Sequence, residues 1–431
     1  MLIFSTFLDY FTGLKMGDST SIRGKKFWFW LSISVNLGFL GIFKYYNFFA
    51  ESFAKFFELG GIHIDIWTLK VILPVGISFY TFHGLSYVID IYYDRIKAER
   101  NFVDYAVFVS FFPLLVAGPI ERATHLLPQI KRKRNFDYSL AVDGLRQILW
   151  GLFKKVVIAD QCAEYANLIF NESYRFPGSV LLLGAVFFAF QIYGDFSGYS
   201  DIALGTARLF GIELLRNFAF PYFSRDMAEF WRRWHISLST WFRDYLYFPL
   251  GGSRGGLWLS VRNTFIIFLV SGFWHGANWT FIVWGALNAL YFMPLLLTDK
   301  NRTHIEIVAQ GKTLPTLKEF FSMLVTFALT VLAWVFFRAD GMSHAWQIIS
   351  TIFSPTLLRW PGFDKANEAV VTLLYLFVFI LIEWSGREQR FALERFGFGW
   401  RRSVRLTFYL LVCCTIFYFS GNEQQFIYFQ F

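Results

Sequence analysis

The chain has 431 residues, of which 55% are hydrophobic and 16% are charged, and its net charge is +9. Ordinary soluble proteins carry roughly 25% charged residues, so this composition excludes a soluble globular protein and indicates one surrounded by lipid. The basic residues are divided among short loops. This distribution disfavours nucleic-acid binding and is typical of loops that face anionic lipid headgroups.

The first apolar segment, residues 2–14, is too short to cross a bilayer alone. No basic region precedes a small-residue cleavage site there, so we expect no signal peptide. The segment resembles the tail of a helix whose beginning is absent. The cysteines form neither a metal-ligand spacing nor a disulfide framework, and we therefore expect no structural metal.

Apolar runs of about 20 residues, the length that a spanning helix needs, recur along the chain. They predict membrane helices near 28–48, 68–92, 104–120, 179–213, 258–275, 278–297, 317–338, 367–385 and 403–421. The run 179–213 is expected to be bent or broken, and 140–170 is ambiguous because Lys154 and Lys155 interrupt its apolar residues. Basic clusters do not alternate regularly between the runs, so the positive-inside rule gives no firm topology. No change of composition separates domains, and we expect one all-α transmembrane domain over residues 1–431.

A different pattern follows at residues 230–248, where apolar residues are spaced three and four apart. This spacing forms one stripe of a helix, and arginines occupy its other faces. Because those arginines cannot all face lipid, we expect the helix to lie oblique or parallel to the membrane plane, with its stripe packed on the helix bundle. Pro249 and the glycines of 251–256 end it in a turn. We expect its tryptophans to belong to the interfacial aromatic belt: Trp231, Trp234 and Trp241.

Two histidines are candidates for chemistry, because imidazole titrates near neutral pH and suits proton transfer. His275 lies in the apolar run Gly272-Phe-Trp-His-Gly276. An ionisable side chain at membrane depth is costly and marks a functional site by default. His235 falls beside the aromatic stripe. The alternatives stay open here: His275 as the donor of one interhelical hydrogen bond, and His235 as an interfacial histidine wetted by headgroups.

The long apolar run in the middle of the chain contains an unusual polar segment, with Asp195, Ser197 and Asp201 close together. Buried carboxylates must be paired or hydrogen-bonded. The segment is therefore either a structural network that holds a kinked helix or the polar lining of a tunnel. Arg232 and Arg233 are likewise either solvated anchors or ligands of a substrate.

Several segments together resemble the membrane-bound O-acyltransferase family, in particular its bacterial branch that acetylates alginate, peptidoglycan and related glycans. They are Phe230-Trp-Arg-Arg-Trp-His235 with the residues up to Gly252, Val116-Ala-Gly-Pro-Ile-Glu-Arg122, Tyr193 to Asp201, Ser271-Gly-Phe-Trp-His-Gly-Ala-Asn-Trp279 and Ala333-Trp-Val-Phe-Phe-Arg338. Their order also fits, and the resemblance covers roughly residues 70–431. The branch for D-alanylation of teichoic acid is more distant. Family members usually begin with further hydrophobic sequence, which we expect this chain to lack.

The resemblance implies a bundle of about ten to eleven membrane helices around a central tunnel, some of them broken or re-entrant. It places the invariant histidine of the family at His275 and the second histidine of the bacterial branch at His235. We expect both imidazoles to face one cavity near mid-membrane. The candidates for substrate binding or tunnel lining are Arg232, Arg233, Asp195, Ser197, Asp201 and Asn278.

The expected activity is O-acetyl transfer to hydroxyls of an exported polysaccharide, at the bacterial inner membrane. His275 is the expected base for the hydroxyl proton, and His235 would position the donor or relay a proton. No cofactor is expected to stay bound, and acetyl-CoA or another acyl donor is the expected co-substrate. The expected partners are membrane lipids, the polysaccharide and, in another form of the chemistry, an extracytoplasmic acetyltransferase that receives the acyl group. A transporter or flippase of an acyl group or glycan is the alternative from another class, and a membrane scaffold is the third.

Overall fold

The computed structural model describes residues 1–70, 74–421 and 424–427. Over these ranges the secondary structure is helical and contains no strand, which confirms the all-α prediction. The chain divides into two compact units. The N-terminal unit consists of Met1–Asn135 and Trp274–Asn278, and the C-terminal unit consists of Phe136–Phe273 and Trp279–Phe431.

The N-terminal unit is built on a helix pair whose interface contains a buried carboxylate. Asp9 accepts hydrogen bonds from Ser32 and Asn36, each 2.7 Å long, so this polar side chain is satisfied inside the unit. The helices of the unit are α1 (Leu2–Gly17), α2 (Ile22–Leu40), α3 (Tyr46–Leu59), α4 (Ile77–Tyr92), α5 (Phe102–Ser110) and α6 (Ala123–Lys131). A π-helical turn, Gly41–Tyr45, joins α2 to α3.

The C-terminal unit has a long, largely buried helix at its centre, with the other helices packed around it. The helices are α7 (Tyr138–Leu152), α8 (Asp160–Asn171), α9 (Gly178–Leu209), α10 (Met227–Arg233), α11 (Ile236–Phe242), α12 (Leu257–His275), α13 (Trp279–Leu297), α14 (Leu317–Arg338), α15 (Met342–Ile352), α16 (Ala366–Ser385) and α17 (Arg402–Phe419). The last two residues of α12 belong to the N-terminal unit. The central helix is α9.

Among the described residues, seven helical segments are long and apolar enough to cross a membrane. They are Ile22–Leu59, Gly178–Leu209, Leu257–His275, Trp279–Leu297, Leu317–Arg338, Ala366–Ser385 and Arg402–Phe419. Each coincides with a run that the sequence predicts. The prediction of a multi-pass membrane protein is confirmed, and the count of about ten to eleven membrane helices stays a prediction.

Two of the predicted spans differ from the structure. In the run 68–92 the helix α4 begins only at Ile77, after Pro74, and residues 71–73 lie outside the described residues. In the run 104–120 the helix ends at Ser110, and a 3₁₀ turn containing Pro113 follows. Proline lacks the N–H that an α-helix needs and clashes with the preceding turn, so apolar composition alone overestimates both helices.

The ambiguous run 140–170 and the long run 179–213 are both helical in the structure. Residues 138–171 form α7 and α8 around a π-helical turn, Phe153–Ala159. The sequence predicts that the run 179–213 is bent or broken. The prediction of a break is wrong, because α9 is one uninterrupted helix of 32 residues. Gly151 and Gly198 let α7 approach α9 closely, since a Cβ on Gly151 would lie 2.6 Å from the Gly198 carbonyl oxygen. This close approach brings the polar groups of the two helices together.

Candidate active site

The helix predicted over residues 230–248 is broken at His235. α10 ends at Arg233, α11 begins at Ile236, and between them His235 has the left-handed backbone φ 43°, ψ 54°. The break is stabilised from outside the segment, because the Ile236 N–H donates to the carbonyl oxygen of Asn217 at 2.9 Å. The prediction of one continuous helix is wrong. The apolar spacing continues through the break, so the sequence pattern gives no sign of it.

The side chain of His235 is buried in the C-terminal unit. Its exposed fraction is 1%, and its ring packs edge-on against Phe196 of α9 with 4.7 Å between the ring centroids. The reading of His235 as a histidine wetted by headgroups is therefore wrong. Burial lowers the pKa of His235 to about 3, because the charged imidazolium loses its hydration. The imidazole is therefore neutral at physiological pH.

The aromatic stripe beside His235 packs into the helix bundle, as the sequence predicts. The ring of Trp234 lies 5.0 Å from that of Trp334 in α14, and Trp231 lies 5.7 Å from Trp284 in α13. Trp234 is 2% exposed and Trp241 is also buried, so the prediction of an interfacial belt is wrong for these two. Both α10 and α11 have seven residues, roughly 10 Å of helix, which is too short to span a bilayer.

A cavity of about 220 Å³ lies between these short helices and the helices α12 and α13. Ser239 of α11 and Ser271 of α12 both line it. The other lining residues are Trp231, Leu238, Phe242, Arg243, Tyr247, Thr264, Ile267, Phe268, Phe292, Leu296 and Asn301. A mostly apolar cavity with a few polar groups is typical of a small-molecule site.

His275 is the last residue of α12 and is 7% exposed. In the N-terminal unit, the adjacent Trp274 ring stacks on Phe82 with 5.4 Å between centroids and an interplanar angle of 10°. The Nζ of Lys44 donates to the backbone carbonyls of Trp274 and His275 at 2.7 and 3.2 Å. Asn278 lies in the short link between α12 and α13. The expectation that His275 and His235 face one cavity stays a prediction.

The carboxylates of the polar segment in α9 are ion-paired, as the structural alternative expects. Asp195 lies 2.8 Å from the Nζ of Lys155, and Asp201 lies 2.7 Å from the Nζ of Lys154. Both lysines belong to the π-helical turn Phe153–Ala159, which presents consecutive cations to α9. Asp201 also lines, with Ser197, a cavity of about 20 Å³, the size of a single water site.

Sequence reasoning missed a buried acid that joins this network. Glu383 of α16 is 2% exposed and accepts hydrogen bonds from Tyr193 at 2.6 Å and from Trp150 at 2.9 Å. Its carboxylate lies 3.7 Å from the Nζ of Lys154. The available signal was an acid near the end of the apolar run 367–385, separated from Glu368 by fourteen uncharged residues. The network ties α7, α9 and α16 together by buried charges.

Arginines from three parts of the C-terminal unit line a second cavity of about 430 Å³, which we call the arginine pocket. Arg233 is paired with Glu229 at 2.7 Å, and the exposed Arg232 donates to the carbonyls of Asn301 and His304. The Nε of Arg216 is buried and has no hydrogen-bond partner in the described residues. The charged residues of the pocket are Arg216, Arg232, Arg233, Arg387, Arg390, Glu388 and Glu394.

The structure places Arg232 and Arg233 at the arginine pocket, and their role as substrate ligands stays a prediction. Their hydrogen bonds to neighbouring backbone and to Glu229 anchor the segment, and their guanidinium groups also line an open, positively charged cavity. Sequence reasoning missed Arg216 and Arg387, which lie outside the histidine motif. Within the described residues, no cluster of His, Cys, Asp or Glu is placed to hold a metal ion.

These features define a multi-pass membrane protein with polar and titratable side chains inside its helix bundle. Residues 92–336 match the profile of the MBOAT, membrane-bound O-acyltransferase family, and the chain belongs to this family. It is a membrane acyltransferase, which confirms the prediction of an enzyme and disfavours a flippase without bond chemistry.

Individual relatives indicate which branch of the family the chain resembles. The chain is 39% identical over 88% of its length to the probable alginate O-acetylase AlgI of Azotobacter vinelandii, of which 74% is covered. It is 37% identical to the peptidoglycan O-acetyltransferase of Helicobacter pylori, over 81% of this chain and 69% of that protein. Identity to the teichoic acid D-alanyltransferase of Bacillus subtilis is 28%, over 50% of this chain and 57% of that protein. The expectation that the branch for D-alanylation of teichoic acid is more distant than the glycan O-acetylation branch is confirmed.

Proposed function

We propose that the protein transfers acetyl groups to hydroxyls of an exported cell-surface polysaccharide at the bacterial inner membrane. The observation that carries the proposal is the similarity to alginate and peptidoglycan O-acetyltransferases at 37–40% identity over most of the chain. The burial of His235 and His275, two titratable side chains in apolar surroundings, supports the proposal. The proposed donor is acetyl-CoA, and the acyl group passes either to the glycan or to an extracytoplasmic acetyltransferase.

The proposed base is His275. A sugar hydroxyl is a weak nucleophile, and a neutral imidazole that accepts its proton lets the oxygen attack the acyl carbonyl. The new C–O bond forms, the C–S bond of the donor breaks, and the departing thiolate takes up the proton. The intramembrane position of His275, in a candidate span, supports a functional role.

His235 is proposed as a positioning residue. With a pKa of about 3, it does not supply an imidazolium to the developing oxyanion at neutral pH. A neutral ring instead donates one N–H and accepts at the other nitrogen, so it can orient the donor or pass on a proton. The left-handed backbone at this residue supports a functional role as well, since strained residues cluster at active sites.

The arginine pocket supports a phosphate-bearing donor. Five arginines face two glutamates in a cavity of about 430 Å³, and guanidinium groups bind phosphate oxygens with charge-assisted hydrogen bonds. The Nε of Arg216 is a donor that has no acceptor among the described residues. The nucleotide end of acetyl-CoA has the matching negative charge.

The test is glycan acetylation in cells, read beside the amount of protein in the membrane. We expect His275→Ala to lower acetylation by about 10²–10⁴-fold at normal abundance. His63→Ala is the matched control, because His63 is exposed, and it should acetylate normally. Normal acetylation by His275→Ala would overturn the base assignment.

The donor is tested separately in membrane vesicles supplied with labelled acetyl-CoA and the acceptor glycan. Label should appear on the glycan with the natural protein and not with His275→Ala. Label that stays on a second, extracytoplasmic acetyltransferase would support the two-step form. Vesicles that acetylate normally only with another acyl donor would contradict acetyl-CoA.

A further inference from the structure

A lysine lies in the first candidate membrane span. Lys44 belongs to the apolar helical segment Ile22–Leu59, 38 residues long. Unlike Lys55 of the same segment, which is exposed, Lys44 is partly buried, and a cation that is partly buried in an apolar helix is usually functional. The residue is presented by the π-helical turn Gly41–Tyr45, and π-helical turns are frequent at functional sites. Both features call for a partner that compensates the cost of this cation.

The partner of Lys44 is the end of the helix that carries His275. Its Nζ donates to the carbonyl oxygen of Trp274 at 2.7 Å and to that of His275 at 3.2 Å. It also lies 5.9 Å from the centre of the Trp274 ring. No described carboxylate lies within ion-pair distance of Lys44 in the structure. The last carbonyls of a helix lack intrahelical partners and carry the negative end of its dipole, so they are the acceptors that compensate this cation.

We propose that Lys44 is the positioning residue of His275, an inference that rests on the proposed function of that histidine. By binding two successive carbonyls, the ammonium group fixes the last turn of α12 where Gly276 would otherwise let the helix end fray. The orientation of the imidazole follows from that of its backbone. A displacement of about 1 Å at a catalytic group can cost 10²-fold in rate. Lys44 contributes to turnover through His275 and does not touch the reacting atoms.

Lys44→Met tests the proposal, because its unbranched side chain is only one atom shorter than that of lysine and lacks the charge and the donors. In membranes containing the full-length protein we expect the acetyl-transfer kcat to fall about 10- to 100-fold, with the KM for the donor unchanged. Lys44→Arg, which retains charge and donors, should recover most of that kcat. Lys55→Met is the matched control, since Lys55 is an exposed residue of α3, and it should leave kcat and KM unchanged.

The outcomes separate positioning from mere stabilisation. A wild-type kcat for Lys44→Met, or a loss that falls on KM, would overturn the proposal. Where Lys44→Met does not accumulate in the membrane, Lys44→Gln, which is polar but uncharged and too short to reach both carbonyls, replaces it with the same expected kcat loss. Failure of both variants to accumulate would make Lys44 a folding residue and also overturn it. Inactive His275→Ala with active Lys44→Met refutes this inference alone, whereas active His275→Ala refutes the proposed function.

Discussion

Replacing His235 by glycine and by alanine separates the role of its ring from that of its backbone. Both variants lose the imidazole, but only alanine keeps a Cβ in the left-handed conformation, φ 43°, ψ 54°. That conformation costs a residue with a Cβ roughly 1–2 kcal/mol, and glycine gives back about 0.5–1 kcal/mol as backbone entropy. We therefore expect His235→Gly to be about 1 kcal/mol more stable than His235→Ala.

The two variants should nevertheless have the same low activity. Both empty the space against Phe196, and both remove the neutral nitrogen that positions the donor. The loss should be smaller than that of His275→Ala if His235 positions the donor, and equal to it if His235 shares the proton transfer. Unfolding midpoints in detergent measure the stability difference, and glycan acetylation at matched protein abundance measures the activity.

Two results would refute this reasoning. If His235→Gly is no more stable than His235→Ala, the left-handed turn is not strained in the folded protein. If His235→Gly acetylates nearly as well as the natural protein, the turn matters and the imidazole does not. The second result would remove His235 from the active site.

Three further predictions concern charge. Lys154→Met should cost about 3–5 kcal/mol of stability because it leaves buried carboxylates unpaired. Adding Glu383→Gln should restore part of that stability. A double variant that is no more stable than Lys154→Met would contradict the network. Arg216→Gln should raise the KM for the donor about tenfold. The control Arg254→Gln, in an exposed turn, should leave that KM unchanged. If the two variants have the same KM, the arginine pocket is not the donor site. Because the folded pKa of His235 is depressed to about 3, its contribution to stability is present above pH 6.5 and is lost as pH falls towards 3, by up to about 1.4 kcal/mol per pH unit. Unfolding midpoints measured across that range should lose this slope in His235→Ala, and an unchanged slope would show that another group titrates.

The sequence determined the class of protein and most of its helices. Seven predicted runs coincide with helices of spanning length, because a helix that faces lipid must be apolar over its whole length. The histidine motifs were also readable, since titratable residues stand out in apolar runs. These are local properties, and composition within about 20 residues carries them.

Only the tertiary structure decided where the helices end and which charges meet. The turn at His235 depends on the carbonyl of Asn217, and the pairing of Lys154 with Glu383 spans more than half the chain. Periodicity reports which face of a helix is apolar, but not which distant backbone or charge will satisfy a polar group there. The arginine pocket likewise depends on the tertiary structure, because Arg216 and Arg387 become neighbours only when the unit folds. Hydrogen bonds and ion pairs between distant segments therefore fix the chemistry that local hydrophobicity leaves open.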